Sequence, residues 1–381
     1  MKQPTFGKAP ASASAVRFRR VIAAILLGTG LAVGVAGAGL ATDRRDETVR
    51  VMSRNLYHGV DFSGLLSAGS LDALFAAAGE ALVDIRATRP ANRAAAVARE
   101  IARNKVDLVG LQEATIIRTG TLNDPRIDPA AAAEPETSVE SDGLQVLLKE
   151  LRRLGEPFQV VAIVPGLDAQ LPAIGPGADV DARITVNIAI IARSRSNLKL
   201  SNIQTQGFLR NLTFTAAGVP LVNSRGWASV DVEKGGRKFR FATTHLEADH
   251  PGIRSLQAID MIAGAGNTDL PLVFVGDFNV SATTVTDMTY GQFLAARFVD
   301  AWTRKRPSNP GLTCCHLADL SNPTSATFDR RIDLVLFRGA FQVEDIGLVG
   351  EKPSDRILPP LRLWPSDHAG VVATLRIPRG H

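Results

Sequence analysis

Cysteine, tyrosine and tryptophan are scarce in this 381-residue chain, which holds two, two and three of them. The cysteines are neighbours, Cys314-Cys315, which excludes both a multi-bridge disulfide framework and a spaced cysteine metal site. In an oxidising compartment such a pair forms an adjacent-residue disulfide or an intermolecular bond, or stays as two buried thiols. Long apolar runs are also missing, apart from one at residues 21–41. No repeat of solenoid length occurs, and no linker divides the remainder into self-sufficient halves. There is no phosphate loop, no metalloprotease histidine pair and no Gly-x-Ser-x-Gly elbow, so those hydrolytic chemistries are excluded. The glycines from Gly28 to Gly34 imitate a dinucleotide loop, but they lie inside the apolar run and open no crossover unit.

A one-sided charge is lacking as well, once the N-terminus is set apart. Lys2, Lys8, Arg17, Arg19 and Arg20 precede the apolar run, the layout of a secretory signal over residues 1–41, with an uncleaved membrane anchor as the alternative. That segment carries five of the 43 Lys and Arg and none of the 38 Asp and Glu, which leaves 38 basic against 38 acidic side chains beyond it. The net charge of +5 therefore belongs to the segment, and the remainder has no global basic excess to drive non-specific binding of nucleic acid.

What is present reads as one α/β domain over residues 49–377, since 45% hydrophobic residues suffice for a sizeable core. Alternating or continuous apolar runs predict strands at Val49–Leu56, Val106–Glu113, Phe158–Val164, Asn187–Ala192, Leu198–Phe208, Leu212–Val222, Gly226–Glu233, Arg237–His245, Pro271–Val275, Arg331–Phe337 and Val371–Ile377. Helical spacing predicts helices at Leu65–Ile85, Pro90–Arg103, Gly143–Leu154 and Gly252–Ala263. Gly235-Gly236 marks a hairpin turn, and long loops are expected at 121–142, 165–181 and 303–326.

The chemistry-bearing residues share a position: Asn55, Glu113, His245, Asp277, Asn279 and the Asp367-His368 pair each fall at the C-terminal end of a predicted strand or just after it. Polar groups there converge on one rim while the strands bury behind them. A carboxylate beside an imidazole, and another two residues from an amide, suit metal-assisted phosphoester hydrolysis.

Asn55, Leu111-Gln112-Glu113, Thr244-His245-Leu246-Glu247, Gly276-Asp277-Phe278-Asn279, Arg331-Ile332-Asp333-Leu334 and Ser366-Asp367-His368 occur in this order, and the sequence so resembles the endonuclease/exonuclease/phosphatase superfamily from about Val49 to Ile377. The resemblance implies a four-layer sandwich, two mixed β-sheets packed face to face with helices on the outer faces. It implies Glu113 as the firm Mg²⁺ ligand, with Asn55 and Asp367 as direct or water-mediated ligands and Mn²⁺ or Ca²⁺ as substitutes. His368 is the candidate general base, oriented by Asp333; in a competing version Asp277 is the base. Asp277 and Asn279 would hold the attacking water and donate to a phosphoryl oxygen, His245 would donate to the same group, and Arg225 is a weaker phosphate contact. Exonuclease III-like relatives contact phosphate through a tyrosine, and neither Tyr57 nor Tyr290 stands in a matching place. His58, His250, His316 and His381 carry no expected role, although His58 is close enough to Asn55 in sequence to line the cleft.

The expectation is an exported, monomeric, divalent-metal phosphoesterase acting on a phosphodiester, either nucleic acid or a phospholipid head group, with no obligate protein partner. No Trp/Phe-bearing hairpin argues for lipid. The alternative is a non-catalytic phosphate-binding or surface-interaction module on the same fold.

Overall fold

Alternation starts the fold: in β1 (Thr48–Asn55) Val49 and Val51 are fully buried and Arg50 only half so, as the pleat requires. The computed structural model describes residues 47–126, 136–284 and 288–378. The expected signal segment lies outside these, as do residues 127–135 of the expected loop at 121–142. Among the described residues no helix is long and apolar enough to cross a membrane.

The predicted helix Leu65–Ile85 is two elements, α1 (Ser63–Leu66) and α2 (Leu71–Ala87), because Ser70 caps a fresh start by accepting from the Ala73 amide at 3.2 Å. α3 (Pro90–Arg103) opens on its proline, and β2 (Leu108–Thr121) runs on past its predicted end. β3 (Val139–Asp142) pairs with β2 inside the expected loop, and Asp142 then caps α4 (Gly143–Arg153).

The expected loop at 165–181 is mostly strand: β4 (Phe158–Ala173) and β5 (Val180–Arg193) form one long hairpin. Pro165, Gly166 and Pro172 concealed it, yet β4 is a sheet edge with a register shift between Pro165 and Asp168, where proline needs no ladder donor. β6 (Lys199–Gly207) follows. The predicted strand Leu212–Val222 is a hairpin, β7 (Leu212–Ala216) and β8 (Val219–Asn223), turned at Ala217 and Gly218, both with positive φ. The chain continues through β9 (Gly226–Lys234), β10 (Arg237–His245), α5 (Pro251–Ala263), β11 (Leu272–Asp277), α6 (Thr289–Ala295), β12 (Val299–Asp300), α7 (Ala301–Lys305), β13 (Asp333–Arg338), β14 (Gln342–Val349) and β15 (Gly370–Arg376).

One sheet orders its strands β14-β15-β1-β2-β5-β4 with β3 on β2, the other β12-β13-β11-β10-β9-β6. Both are mixed, because β1–β2 and β10–β11 are parallel and the other pairs antiparallel. Between the sheets lies one apolar layer that includes Val51, Ile190, Phe241, Val273 and Val335. Val97 and Ile101 of α3 with Leu147 and Leu151 of α4 cover the first sheet, and Met261 of α5 with Phe293 of α6 covers the second. The expected four-layer sandwich is what forms. Gly110 marks a close approach of the two sheets, since a Cβ there would stand 2.3 Å from Thr243 Oγ1 and 2.5 Å from Val275 Cγ2.

Candidate active site

Strand direction gathers the candidate residues. β1 and β2 are parallel, as are β10 and β11, so Asn55, His245 and Asp277 finish their strands on one rim, with His245 opposite Asp277 in register. β13 is antiparallel to β11 and puts Asp333 opposite Asp277. Two placements correct the expected strand-end rule. Asp367 and His368 precede β15, which reaches the rim because it runs antiparallel to β1. Glu113 does not end β2; it sits within the strand at a register shift between Leu111 and Ala114, with φ of 53°. The bulge lets the strand continue while the carboxylate turns into the rim.

Glu113, His245, Asp277, Asn279, Asp367 and His368 line one cleft of about 700 Å³, with Tyr57, His58, Arg225 and the Cys314-Cys315 pair, while Asn55 and Asp333 lie fully buried behind it. Within it His368 Nδ1 lies 2.8 Å from Asp333 Oδ2, and its Nε2 lies 3.9 Å from Asp277 and 4.0 Å from Asp367. The Ser366 hydroxyl accepts from the His368 amide at 3.2 Å, and the buried guanidinium of Arg54, paired with Glu100, donates to its carbonyl. The imidazole is therefore fixed from both ends. Burial opposes its charge, but Asp333, Asp367 and Asp277 outweigh burial and hold its pKa well above 6.5.

Asp277 is the hub of the acidic end. It accepts from Asn55 Nδ2 at 3.2 Å and from the Asn279 amide at 2.9 Å, and lies 3.5 Å from His245 Nε2. Burial, resisted by His368 and aided by Asp333 and Glu113, raises its pKa to about 7. Burial and Glu113 raise Asp367 as well. Glu113 is also buried, yet His58, His245 and Asn55 outweigh burial and keep it ionised, well below 4.5.

Arg225, expected as a phosphate contact, donates to His245 Nδ1. That nitrogen must accept, so Nε2 carries the proton and points it toward Asp277 and Glu113. Burial first, then Arg225, keep this ring neutral, its pKa well below 6.5. Asn279 commits one amide hydrogen to Leu246 O at 2.8 Å, which leaves the other for a ligand.

Asn55 turns its Nδ2 to Glu113 at 2.9 Å and its Oδ1 to the Tyr57 amide at 2.8 Å. As placed it bridges Glu113 and Asp277, and oxygen ligation would require the amide to turn over. The donor set nonetheless fits a hard divalent cation. Carboxylates and amides are its preferred ligands, and the burial and crowding that push Asp277 and Asp367 upward mark a concentration of negative charge that such an ion would relieve.

His58 had no expected role, and the structure brings it in. Its amide donates to Glu113 Oε2 at 2.8 Å, its ring Nδ1 contacts the same oxygen, and the ring stacks on Phe62 at 4.6 Å. Its place three residues past Asn55 was the only signal. Tyr57 lines the cleft too, but its hydroxyl donates to Ala318 O at 3.0 Å, so it is a wall rather than a phosphate ligand. Cys314 and Cys315 are joined as a disulfide, with Cys315 Sγ 4.0 Å from His368 Nε2.

His316 is structural. Its ring stacks on Trp364 at 3.8 Å, Nδ1 accepts from Asn322 at 2.8 Å and Nε2 faces Gly350 O at 3.4 Å, an arrangement that suits only the neutral form. Burial lowers its pKa from 6.5 to about 4. The unfolded chain thus takes up this proton first, so the stability His316 contributes is full above pH 6.5 and is lost as pH falls toward 4. The residue is 5% exposed, although the cleft opens beside it. With that solvent access counted, the loss is about 2 kcal/mol. Urea midpoints at pH 7 and 4.5 should show this drop in the wild type and not in His316→Phe.

The comparisons agree with this geometry. Residues 55–368 match the model of the endonuclease/exonuclease/phosphatase family. An endonuclease/exonuclease/phosphatase from Bacteroides vulgatus superposes with a TM-score of 0.52 at 15% identity, over 87% of this chain and 100% of that one. A family protein from Bacteroides thetaiotaomicron gives 0.51 at 16% identity, over 87% and 99%. D. rerio TDP2, solved with a single-strand DNA product, gives 0.50 at 17% identity, over 87% and 99%. No curated protein matches the chain. Sequence match and fold agree, and the chain belongs to the endonuclease/exonuclease/phosphatase family and is a phosphoric ester hydrolase.

Proposed function

We propose that this protein is an exported phosphodiesterase that works with Mg²⁺, or Mn²⁺ or Ca²⁺ in its place, and in which a water activated by His368 attacks phosphorus in line. The observation that carries the reading is the Asp333–His368 pair at 2.8 Å, aimed from one side at the acidic group of Asp277, Asp367 and Glu113. Glu113 and Asp367, with Asn55 beside them, would hold the cation, whose part is to neutralise phosphate charge and stabilise the departing oxygen.

The chain's own residues supply the rest. His368 Nε2 takes the proton of the attacking water while Nδ1–H stays on Asp333, which fixes the tautomer and offsets the imidazolium charge. Asp277 and Asn279 hold the water and the phosphoryl group in register. His245 donates its Nε2 proton to a phosphoryl oxygen, kept in that tautomer by Arg225. Export rests on the composition of residues 1–41.

The test is hydrolysis of bis-p-nitrophenyl phosphate by the full chain. Turnover that disappears with a chelator and returns with Mg²⁺ or Mn²⁺ is the expected result. Chelator-insensitive turnover, or none with any divalent cation, contradicts the proposal.

A further inference from the structure

The cleft has two chemically distinct ends. Beyond the polar end an apolar arm is lined by Val60, Leu65, Leu82, Ile117, Leu171 and Ile184. Val60, Leu82 and Ile117 are buried, while Leu65, Leu171 and Ile184 pack against them only partly covered. Leu66 and Leu317, 42% and 51% exposed, stand on the same lining. Continuous apolar surface left open beside polar groups marks a binding site.

The arm is continuous with the catalytic end through one strand. Ile117 follows Glu113 by four residues on β2, about 13 Å along it, and Ile184 of β5 pairs with Ile117. Charge narrows the occupant. The lining of the whole cleft includes three arginines and no lysine among the described residues. Arg183 is bound by Asp168 at 2.9 Å, Arg225 is spent on His245 and Arg330 stands beside the Cys314-Cys315 pair at the catalytic end, while Asp61, Asp249 and three of the site carboxylates line the same space. A polynucleotide carries a phosphate at every step and needs cations along its track. The arm offers none.

We propose that the apolar arm holds a single hydrocarbon chain of the substrate, which makes the preferred phosphodiester one of lysophospholipid type. The proposal rests on the phosphodiesterase reading of the His368 centre for its chemistry, but its test reads binding alone. Hexyl-, octyl- and decylphosphocholine, below their micelle concentrations, are titrated calorimetrically into full-length His368→Ala with Mg²⁺ present. Asp277→Asn serves in its place if that variant does not fold. Each added methylene should tighten binding about fourfold, so roughly 250-fold separates hexyl from decyl. With Ile184→Asp, or Leu171→Gln if the first is unfolded, the same span should shrink below about tenfold. Hexyl and decyl affinities within threefold of each other, an undiminished span in the folded arm variants, or tighter binding of an oligothymidylate than of decylphosphocholine would overturn it. A protein that binds by chain length yet fails to hydrolyse the bis-ester refutes the catalytic reading and not this one.

Discussion

His368→Ala should lower kcat for a phosphodiester by about 10²- to 10⁴-fold, the usual cost of losing a general base. The expectation is that large because the ring is held as a base should be: 6% exposed, anchored on Asp333 at 2.8 Å and fixed through its backbone by Arg54 and Ser366. Truncation leaves Asp333 buried without its partner, so some stability is lost as well. Added imidazole separates the two effects, since it should restore turnover to a folded His368→Ala and would do nothing for a merely structural residue. A second readout needs no metal. In the metal-free protein the His368 ring should titrate above pH 6.5 by NMR, and Asp333→Asn should move it down, because the carboxylate stabilises the imidazolium. Near-normal turnover by His368→Ala would remove it from the mechanism and pass the role to Asp277, whose pKa of about 7 also suits a base.

Glu113→Gln should cost about 10³-fold, the several kcal/mol of charge stabilisation a metal ion supplies at tenfold per 1.4 kcal/mol. Glu113 is the one acidic-end carboxylate that its neighbours keep well below the usual range, while Asp277 and Asp367 are pushed up. It is thus the carboxylate of the three whose charge is held most firmly for a cation. Divalent ions at a hundred times their Kd should stabilise the wild type by about 2.7 kcal/mol, and this gain should disappear in the variant. Without metal the variant should lose the stability that His58, His245 and Asn55 give the ionised carboxylate, and with metal it should lose more. An equal loss of stability with and without metal would mark Glu113 as structural, and an unchanged metal titration would remove it as a ligand.

The fold class and most of the site were legible because both leave local signals. Buried strands such as Leu272–Asp277 read as apolar runs, and the site residues keep their order along the chain whatever the loops between them do. The misreadings occur where a local signal and a long-range one disagree. Pro165, Gly166 and Pro172 look like a loop, but an edge strand tolerates them once its partner β5 is in place.

By itself, then, the sequence determined the central strands, the residue types at the rim and their pairing of imidazole with carboxylate. Only the tertiary structure decided that β13 and β15 run antiparallel to their neighbours, so that Asp333 and His368 meet from strand starts rather than ends. It also decided that a bulge turns Glu113 inward, that His58 closes on it, and that an apolar arm extends from the same strand. The physical reason is that side-chain alternation is a property of one strand, whereas direction, register and the space left between elements exist only once distant segments pair.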